Sequence, residues 1–173
     1  MTDDSPTDLH QDEEEDTSST YLTFDLGTQT LGVEVSNVRE ILDMQKITPL
    51  PNAPLEVQGV VDVRGSSIPV IDLKARLGIP AIEGGEDARI VVIEVAQGDA
   101  RKPLGILADR VRDVDQISAE DIEPCPSVGD GQWDSRVLQG ISRSGSDLIV
   151  LIRLDQLFGN AGPVDLSGAF QHV

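Results

Sequence analysis

The chain has 173 residues and a formal net charge of −18, which argues against nucleic-acid binding because an acidic surface repels phosphate backbones. Its one cysteine excludes an intrachain disulfide, and no apolar run approaches the roughly 20 residues that span a bilayer. The N-terminus is acidic and polar, unlike a signal peptide, so we expect a soluble cytoplasmic protein.

Acidic residues are concentrated at the start of the chain. The first 18 residues hold eight Asp or Glu and no Lys or Arg, so we expect residues 1–19 to form a disordered acidic tail. Only three lysines occur, Lys46, Lys74 and Lys102. Excess acid with scarce lysine favours a halophilic source, such as a halophilic archaeon, in which salt screens the self-repulsion. An ordinary acidic protein is the alternative.

The first half of the chain reads as strand, turn, strand, short helix, hairpin and closing helical turn. These elements are predicted at 21–26, 30–35, 38–42, 57–63 with 67–73, and 72–77. Ser36 and Asn37 can cap the short helix, and Gly78 can stop the closing turn. Prolines interrupt any regular element between 49 and 54.

The second half repeats this order after an acidic linker over 81–88. Its strands are predicted at 89–95, 103–109, 137–142 and 148–154. Residues 110–112 are predicted either as a turn capped by Asp109 or as a strand that continues to 114. Prolines and glycines predict irregular structure over 117–134, and residues 160–173 lack periodicity and are predicted to form a tail.

The two halves are an internal repeat. Residues 57–78 and 138–159 align without a gap at an offset of 81, and the block over 32–41 aligns with 105–114 at an offset of 73. The first block shares six identities, which pair Gln58, Gly59, Ile68, Ile71, Leu73 and Gly78 with Gln139, Gly140, Ile149, Ile152, Leu154 and Gly159. Two copies are too few for a solenoid, so we interpret them as two fused modules.

The fold class predicted from this pattern is all-β with low helical content. About five short strands per copy, with glycine at the corners, are typical of a small curled sheet or barrel. Modules of about 60 residues are marginal alone, so we expect them to pack on each other. The predicted domain covers 20–159, with subdomain one at about 20–80 and subdomain two at about 88–159.

Residues for catalysis or metal binding are scarce. His10 and His172 both lie in the predicted tails, where neither is a plausible general base or rigid ligand. Cys125 lies between two prolines with no histidine in the modules to activate it, so we interpret it as structural or incidental. The acidic run over 12–16 is better explained as solvated charge than as a cation site. We therefore expect no enzymatic activity, no cofactor and no metal site.

Positions at which the copies differ are candidates for function, because the shared fold does not explain them. Arg64 aligns with Gly145 and Asp62 with Arg143, whereas Glu40 keeps an acidic counterpart in Asp113. An arginine at a hairpin tip can offer bidentate hydrogen bonds to a partner carboxylate or to Glu40. A solvated hairpin arginine is the alternative.

The order of these motifs resembles the CheW family of chemotaxis coupling proteins. The resemblance runs from about residue 21 to 158. It is carried by Gly32-Val33, Val38-Arg39-Glu40-Ile41, Pro51-Asn52-Ala53-Pro54, Gly59-Val60-Val61-Asp62-Val63-Arg64-Gly65 and Ile68-Pro69-Val70-Ile71-Asp72-Leu73.

The resemblance implies two packed five-stranded SH3-like barrels with short helical turns and no enzymatic activity. It implies an adaptor that couples methyl-accepting chemoreceptors, at their cytoplasmic tips, to the regulatory domain of the histidine kinase CheA. The partner-binding residues implied are Val38, Glu40, Gly59, Arg64 and Gly65. The family usually has asparagine and leucine before the arginine, where this chain has Asp62 and Val63.

Other functions stay open at this point. A CheW-like scaffold could serve a different receptor–kinase pathway, in motility or second-messenger control. A fragment of CheA is disfavoured because no ATP-binding kinase domain is evident, and a CheV-type protein would need a receiver domain. A small-molecule-binding barrel or an unrecognised enzyme is the alternative from another class.

Overall fold

The computed structural model describes residues 18–77, 79–81, 85–126 and 137–158. In this part of the chain, ten strands and two short α-helices form. The strands are β1 (Ser18–Leu26), β2 (Gln29–Glu34), β3 (Val38–Asp43), β4 (Val57–Val63), β5 (Ser66–Ile71), β6 (Arg89–Gln97), β7 (Ala100–Ala108), β8 (Arg110–Ser118), β9 (Leu138–Ser144) and β10 (Asp147–Ile152). The helices are α1 (Leu73–Leu77) and α2 (Leu154–Phe158), and two 3-10 turns cover Val35–Asn37 and Ala119–Asp121.

The short helix predicted over 38–42 is wrong. Ser36 and Asn37 belong to a 3-10 turn, and the chain then extends as β3, which pairs antiparallel with β6. Burial along β3 alternates residue by residue, as in a half-buried strand. A five-residue helix has one turn of hydrogen bonds at most, whereas pairing with β6 satisfies the backbone along the whole segment.

Several predicted boundaries also move, two of them into segments that were not predicted as strands. β1 begins at Ser18, so Ser18 and Ser19 lie in a strand that pairs with β8 and not in the predicted tail. Of the two interpretations of 110–112, the strand is confirmed, and β8 continues to Ser118 into the segment predicted to be irregular. The rest of the predicted tails, Gly78 and residues 127–136 lie outside the described residues.

The strands form two five-stranded sheets, which fit the predicted pair of SH3-like barrels. Sheet 1 has the order β8-β1-β2-β10-β9, and sheet 2 has the order β3-β6-β7-β5-β4. Each sheet therefore contains the first two strands of one copy of the repeat and the last three strands of the other. The expectation that each copy forms a sheet of its own is wrong, because the copies exchange their strands.

Four strand pairs join the copies: β1 with β8 and β3 with β6 are antiparallel, and two further, equivalent pairs are parallel. β2 runs beside β10 with Gly32 opposite Leu151, and β7 runs beside β5 with Gly105 opposite Val70. Gly32 and Gly105 are equivalent in the repeat, and so are Leu151 and Val70. The pairings within the copies are antiparallel. The two sheets are thus built on the same plan, and neither sheet can form from one copy alone.

Apolar side chains fill three clusters. The largest lies between the sheets and contains Phe24 and Leu31 from sheet 1 and Ile93 and Leu104 from sheet 2, all almost fully buried. Sheet 2 encloses a second cluster built around Val61, and sheet 1 encloses a smaller third cluster. Since each fully buried large side chain stabilises the fold by about 1.5–3 kcal/mol, the cluster between the sheets holds them together.

Asp109 joins the two sheets at the corner where β7 of sheet 2 leads into β8 of sheet 1. Its carboxylate accepts a hydrogen bond from the backbone of Gly27, in the β1–β2 turn, at 2.6 Å. It also accepts one from Lys74 Nζ on α1 at 2.8 Å, and both side chains of this ion pair are largely buried. The predicted cap role of Asp109 is replaced by this connection.

Candidate partner-binding site

The tip of the β4–β5 hairpin is a tight turn formed by Arg64 and Gly65 between paired Val63 and Ser66. Both turn residues have positive φ, 50° for Arg64 and 87° for Gly65, as in the type I′ turns that suit hairpins. Asparagine or aspartate is the usual first residue of such turns, because most other side chains rarely adopt positive φ. An arginine in this position has a conformational cost that its contacts must offset.

Those contacts are made with Glu40 on β3. Arg64 Nη1 donates to Glu40 Oε1 at 3.2 Å, and Nη2 donates to Oε2, so the pair is bidentate. The Arg64 hydrogen bond lowers the pKa of the Glu40 carboxyl, and the same bond raises the pKa of Arg64. The Arg64 side chain is still 68% exposed, whereas that of Glu40 is 23% exposed. Of the two roles predicted for Arg64, pairing with Glu40 is the one that the structure contains.

The two departures from the family pattern lie beside this pair. Asp62 Oδ1 accepts a hydrogen bond from the Gly65 backbone at 3.0 Å and so closes the turn, as an asparagine oxygen could also do. Val63 is buried and belongs to the apolar cluster inside sheet 2, where leucine would also be apolar. Both substitutions are therefore compatible with the same hairpin.

The other predicted partner-binding residues have different surroundings. Gly65 has no atom within 4 Å of the place where a Cβ would lie, so it is required by φ alone. Gly59 has a φ of 147°, and a Cβ there would lie 2.2 Å from the Thr48 carbonyl oxygen. The backbone of Thr48 pairs with that of Val60 in β4, and the absence of a side chain at Gly59 allows this close approach. Val38 is partly buried against the cluster between the sheets.

The equivalent hairpin of sheet 1 has no arginine–glutamate pair at its tip. Gly145 occupies the position of Arg64 at the β9–β10 tip. Arg143, at the position of Asp62, instead donates to Glu123 at 2.7 Å, which lowers the pKa of the Glu123 carboxyl. Gly140 does repeat the role of Gly59, because a Cβ there would lie 2.5 Å from the Glu123 carbonyl oxygen.

The described residues contain little that suggests catalysis. Burial raises the pKa of the Cys125 thiol, which disfavours the nucleophilic thiolate. No group of three or more His, Cys, Asp or Glu side chains in these ranges is placed to hold a metal ion. Nor does any helix among them have the length and apolarity needed to cross a membrane.

A family model described as the CheW-like domain matches residues 20–162. The chain belongs to the CheW family. It is 36% identical over 137 residues to the chemotaxis protein CheW of Rhizobium meliloti, which covers 79% of this chain and 85% of the relative. It is 32% identical over 142 residues to protein FrzA of Myxococcus xanthus, with 82% of this chain and 86% of that protein covered.

Solved structures agree with this assignment. The scaffolding protein TtCheW of Thermoanaerobacter tengcongensis superposes with a TM-score of 0.70 at 32% identity, covering 81% of this chain and 87% of that one. The CheW assignment confirms the resemblance and, with the two sheets, the all-β fold of paired barrels. The roles of the five predicted partner-binding residues stay predictions. The exchange of Asp62 for Arg143 between the copies marked Arg143 in the sequence, but its ion pair with Glu123 was not predicted.

Proposed function

We propose that this chain is the cytoplasmic adaptor that couples methyl-accepting chemoreceptors to the histidine kinase CheA in a ternary complex, without catalysing a reaction itself. The chain is a chemotaxis adaptor by its CheW family membership. The observation that carries the finer proposal is the clamp between Arg64 and Glu40 at the tip of the sheet 2 hairpin. Receptor tips and the kinase regulatory domain are the partners proposed for the surfaces of the two sheets.

The clamp presents a guanidinium that can still bind. Glu40 uses two of the five N–H donors of Arg64, and the exposed remainder can donate to a carboxylate or carbonyl of a partner. Because the pair fixes the guanidinium plane before binding, less conformational entropy is lost when a partner arrives. Charged contacts of this kind determine register and choice of partner more than affinity.

Exposed apolar side chains on and after β3 can supply affinity. Ile41 follows Glu40 on β3, Met44 follows the end of that strand, and each is 43% exposed. Since side chains alternate along a strand, Ile41 lies on the face of β3 opposite to Glu40. Exposed large apolar side chains are common at the centre of protein interfaces. They support the proposal that β3, as well as the β4–β5 tip, contributes contacts to a partner.

Replacing Arg64 tests the proposal. Arg64→Ala is expected to keep the fold and to lower receptor-controlled kinase activity roughly tenfold in a reconstituted complex of receptor, kinase and adaptor. Arg101→Ala is the matched control, because Arg101 is also a half-exposed arginine of sheet 2 that contacts a glutamate, Glu94, at 3.9 Å. Normal kinase control with Arg64→Ala would exclude this role for the arginine.

A charge exchange separates direct contact from a merely local role. Glu40→Arg combined with Arg64→Glu keeps an ion pair at the hairpin tip but reverses its orientation. If the pair only holds the turn, the double variant restores kinase control that each single variant loses. If the partner binds the guanidinium, control stays lost in the double variant, and this is the outcome we expect.

A CheW-like scaffold of another receptor–kinase pathway is the second candidate. The observation that favours it is that protein FrzA, a relative at 32% identity, is not named for chemotaxis. Purification of the tagged chain from its own cells, followed by identification of the bound kinase and receptor, distinguishes the two pathways. The proposed pathway is contradicted if the kinase recovered does not belong to a chemotaxis system.

A further inference from the structure

Sheet 1 has an open cleft at the place where sheet 2 is filled. The cleft has a volume of about 490 Å³ and lies between the end of β8, the 3-10 turn at Ala119–Asp121 and the β9–β10 hairpin. Ile117 and Ile149, both buried, form its apolar floor. Asp115, Glu120, Asp121 and Glu123 line it with carboxylates.

Comparison of the two copies shows how the cleft arises. In sheet 2, Leu42, Val61 and Val63 pack into the interior cluster. Their equivalents in sheet 1, at the offsets of 73 and 81, are Asp115, Ser142 and Ser144, and all three line the cleft. Three apolar residues that close one barrel are thus polar in the other. Because the two sheets share one plan, the fold itself does not require the change.

Ser142 gives this cleft a buried polar group that a ligand could satisfy. The residue is only 5% exposed and lines the cleft at the position where sheet 2 has Val61. In the described part of the chain its hydroxyl makes no side-chain hydrogen bond. A buried hydroxyl without a partner costs free energy, so its retention here points to a group that enters the cleft and bonds to it.

The charge of the cleft indicates what that group is. Four carboxylates face one guanidinium, that of Arg143, and this guanidinium is already paired with Glu123. Across the described ranges, the carboxylates of Asp115, Glu120 and Asp121 form no ion pair with the chain itself. They also do not form a cluster suited to a metal ion. A cationic side chain fits better, because its aliphatic stem can pack on Ile117 and Ile149 while its head meets the carboxylates.

We propose that this cleft is a docking site for a basic segment of a protein partner, which places one arginine or lysine side chain over Ser142. The stem lies on the apolar floor, an N–H of the cationic head donates to the Ser142 hydroxyl, and the carboxylates of Glu120 and Asp121 bind the charge. The surface is separate from the Arg64–Glu40 clamp on sheet 2. It does not depend on the adaptor function, since any partner with such a segment would fit.

A peptide probe tests the site with the full chain. The probe is a short fluorescein-labelled peptide with arginines between leucines, and its matched control carries citrulline, which keeps the shape of arginine without the charge. Fluorescence anisotropy at physiological ionic strength is expected to show roughly tenfold weaker binding of the citrulline peptide. Amide chemical shifts are expected to change over 115–123 and 142–149.

Paired variants locate the binding. Glu120→Gln with Asp121→Asn is expected to weaken arginine-peptide binding roughly tenfold. Glu86→Gln with Asp99→Asn removes the same charge outside the cleft and is expected to weaken it by less than about twofold. Ser142→Ala is expected to cost roughly threefold at unchanged charge, whereas Ser146→Ala at the hairpin tip leaves binding unchanged.

Three results would overturn the proposal. Equal losses in the two double variants would mean that the probe only senses the acidic surface as a whole. Equal binding of the arginine and citrulline peptides would exclude recognition of a cation. Displacement of the peptide by spermidine at the same concentration would assign the cleft to a small polyamine instead of a protein segment. None of these results depends on the receptor or kinase, so failure here leaves the adaptor proposal intact.

Discussion

Sheets 1 and 2 share a backbone plan, and two of the differences between them concern the hairpin tip and the barrel interior. At the hairpin tip, sheet 2 has Arg64 held by Glu40, whereas sheet 1 has Gly145. In the barrel interior, sheet 2 is filled around Val61, whereas sheet 1 is open around Ser142. The differences are thus complementary: each sheet has one polar feature that the other lacks. A duplicated fold maintains stability through the shared positions and is free to vary its contacts at the others.

The shared glycines give the largest expected effect. Gly59→Ala and Gly140→Ala each force a Cβ against a backbone carbonyl, at 2.2 Å from Thr48 and 2.5 Å from Glu123, at a φ that side chains rarely adopt. We expect each to lower the free energy of unfolding by about 3 kcal/mol or more in urea titrations.

Gly65→Ala is the control for these glycines. It also has positive φ, but the space around it is open, so we expect a loss of about 1 kcal/mol. Suppose that Gly59→Ala or Gly140→Ala lowers the free energy of unfolding no more than Gly65→Ala does. The backbone at Thr48 or Glu123 would then not be held rigidly against the glycine.

Exchanging one interior residue between the sheets has the next largest effect. Val61→Ser places a hydroxyl in the filled barrel, where Val61 is 1% exposed, and is expected to cost about 2–3 kcal/mol of unfolding free energy. Ser142→Val makes the reverse change in the open barrel and is expected to be neutral or to stabilise by up to about 1 kcal/mol, because an unpaired hydroxyl is removed. Thermal unfolding of both variants measures this. Equal losses at the two positions would show that Ser142 is satisfied within the fold.

Much of this architecture could be predicted from the repeat, because alternation and hairpin signals do not depend on distant contacts. Strand β3 could not be predicted, since Ser36 and Asn37 carry a genuine capping signal and only pairing with β6 decides against it. The exchange of strands between the two copies could not be predicted from the sequence either. An alignment of two copies shows which strands are equivalent but not whether β2 pairs within its copy or with β10.

The candidate sites divide in the same way. The sequence predicted pairing with Glu40 as one of two roles for Arg64, because both residues lie at positions of the family motif. The cleft was missed because Glu120 and Asp121 lie in a segment predicted to be irregular. Its signal was present in the polar equivalents of Leu42 and Val61, but their meaning depends on which side chains face the barrel interior.

Salt should stabilise the whole chain, and the acids beside the cleft should contribute more to this effect than acids elsewhere. With a net charge of −18, the chain is expected to gain thermal stability as KCl rises to molar concentration, because screening weakens repulsion between carboxylates. Glu120→Gln with Asp121→Asn removes clustered acids and should reduce this gain more than Glu86→Gln with Asp99→Asn does. Full stability at low salt with no gain from KCl would contradict a halophilic source and leave an ordinary acidic protein.

The smallest effect concerns the proton affinity of Glu40. Arg64 lowers the pKa of this carboxyl below its ordinary value of 4.5, so the stabilisation by the pair is complete above that pH and is lost as the pH falls through the lowered pKa. In carboxyl-carbon NMR titrations, Arg64→Ala should return the Glu40 pKa towards its ordinary value, while the pKa of Glu123, lowered by Arg143, stays unchanged. The stability difference between wild type and Arg64→Ala should vanish under acid. If Glu40 titrates alike in both proteins, the guanidinium is not held in solution, and Arg64 would have to be ordered by its partner.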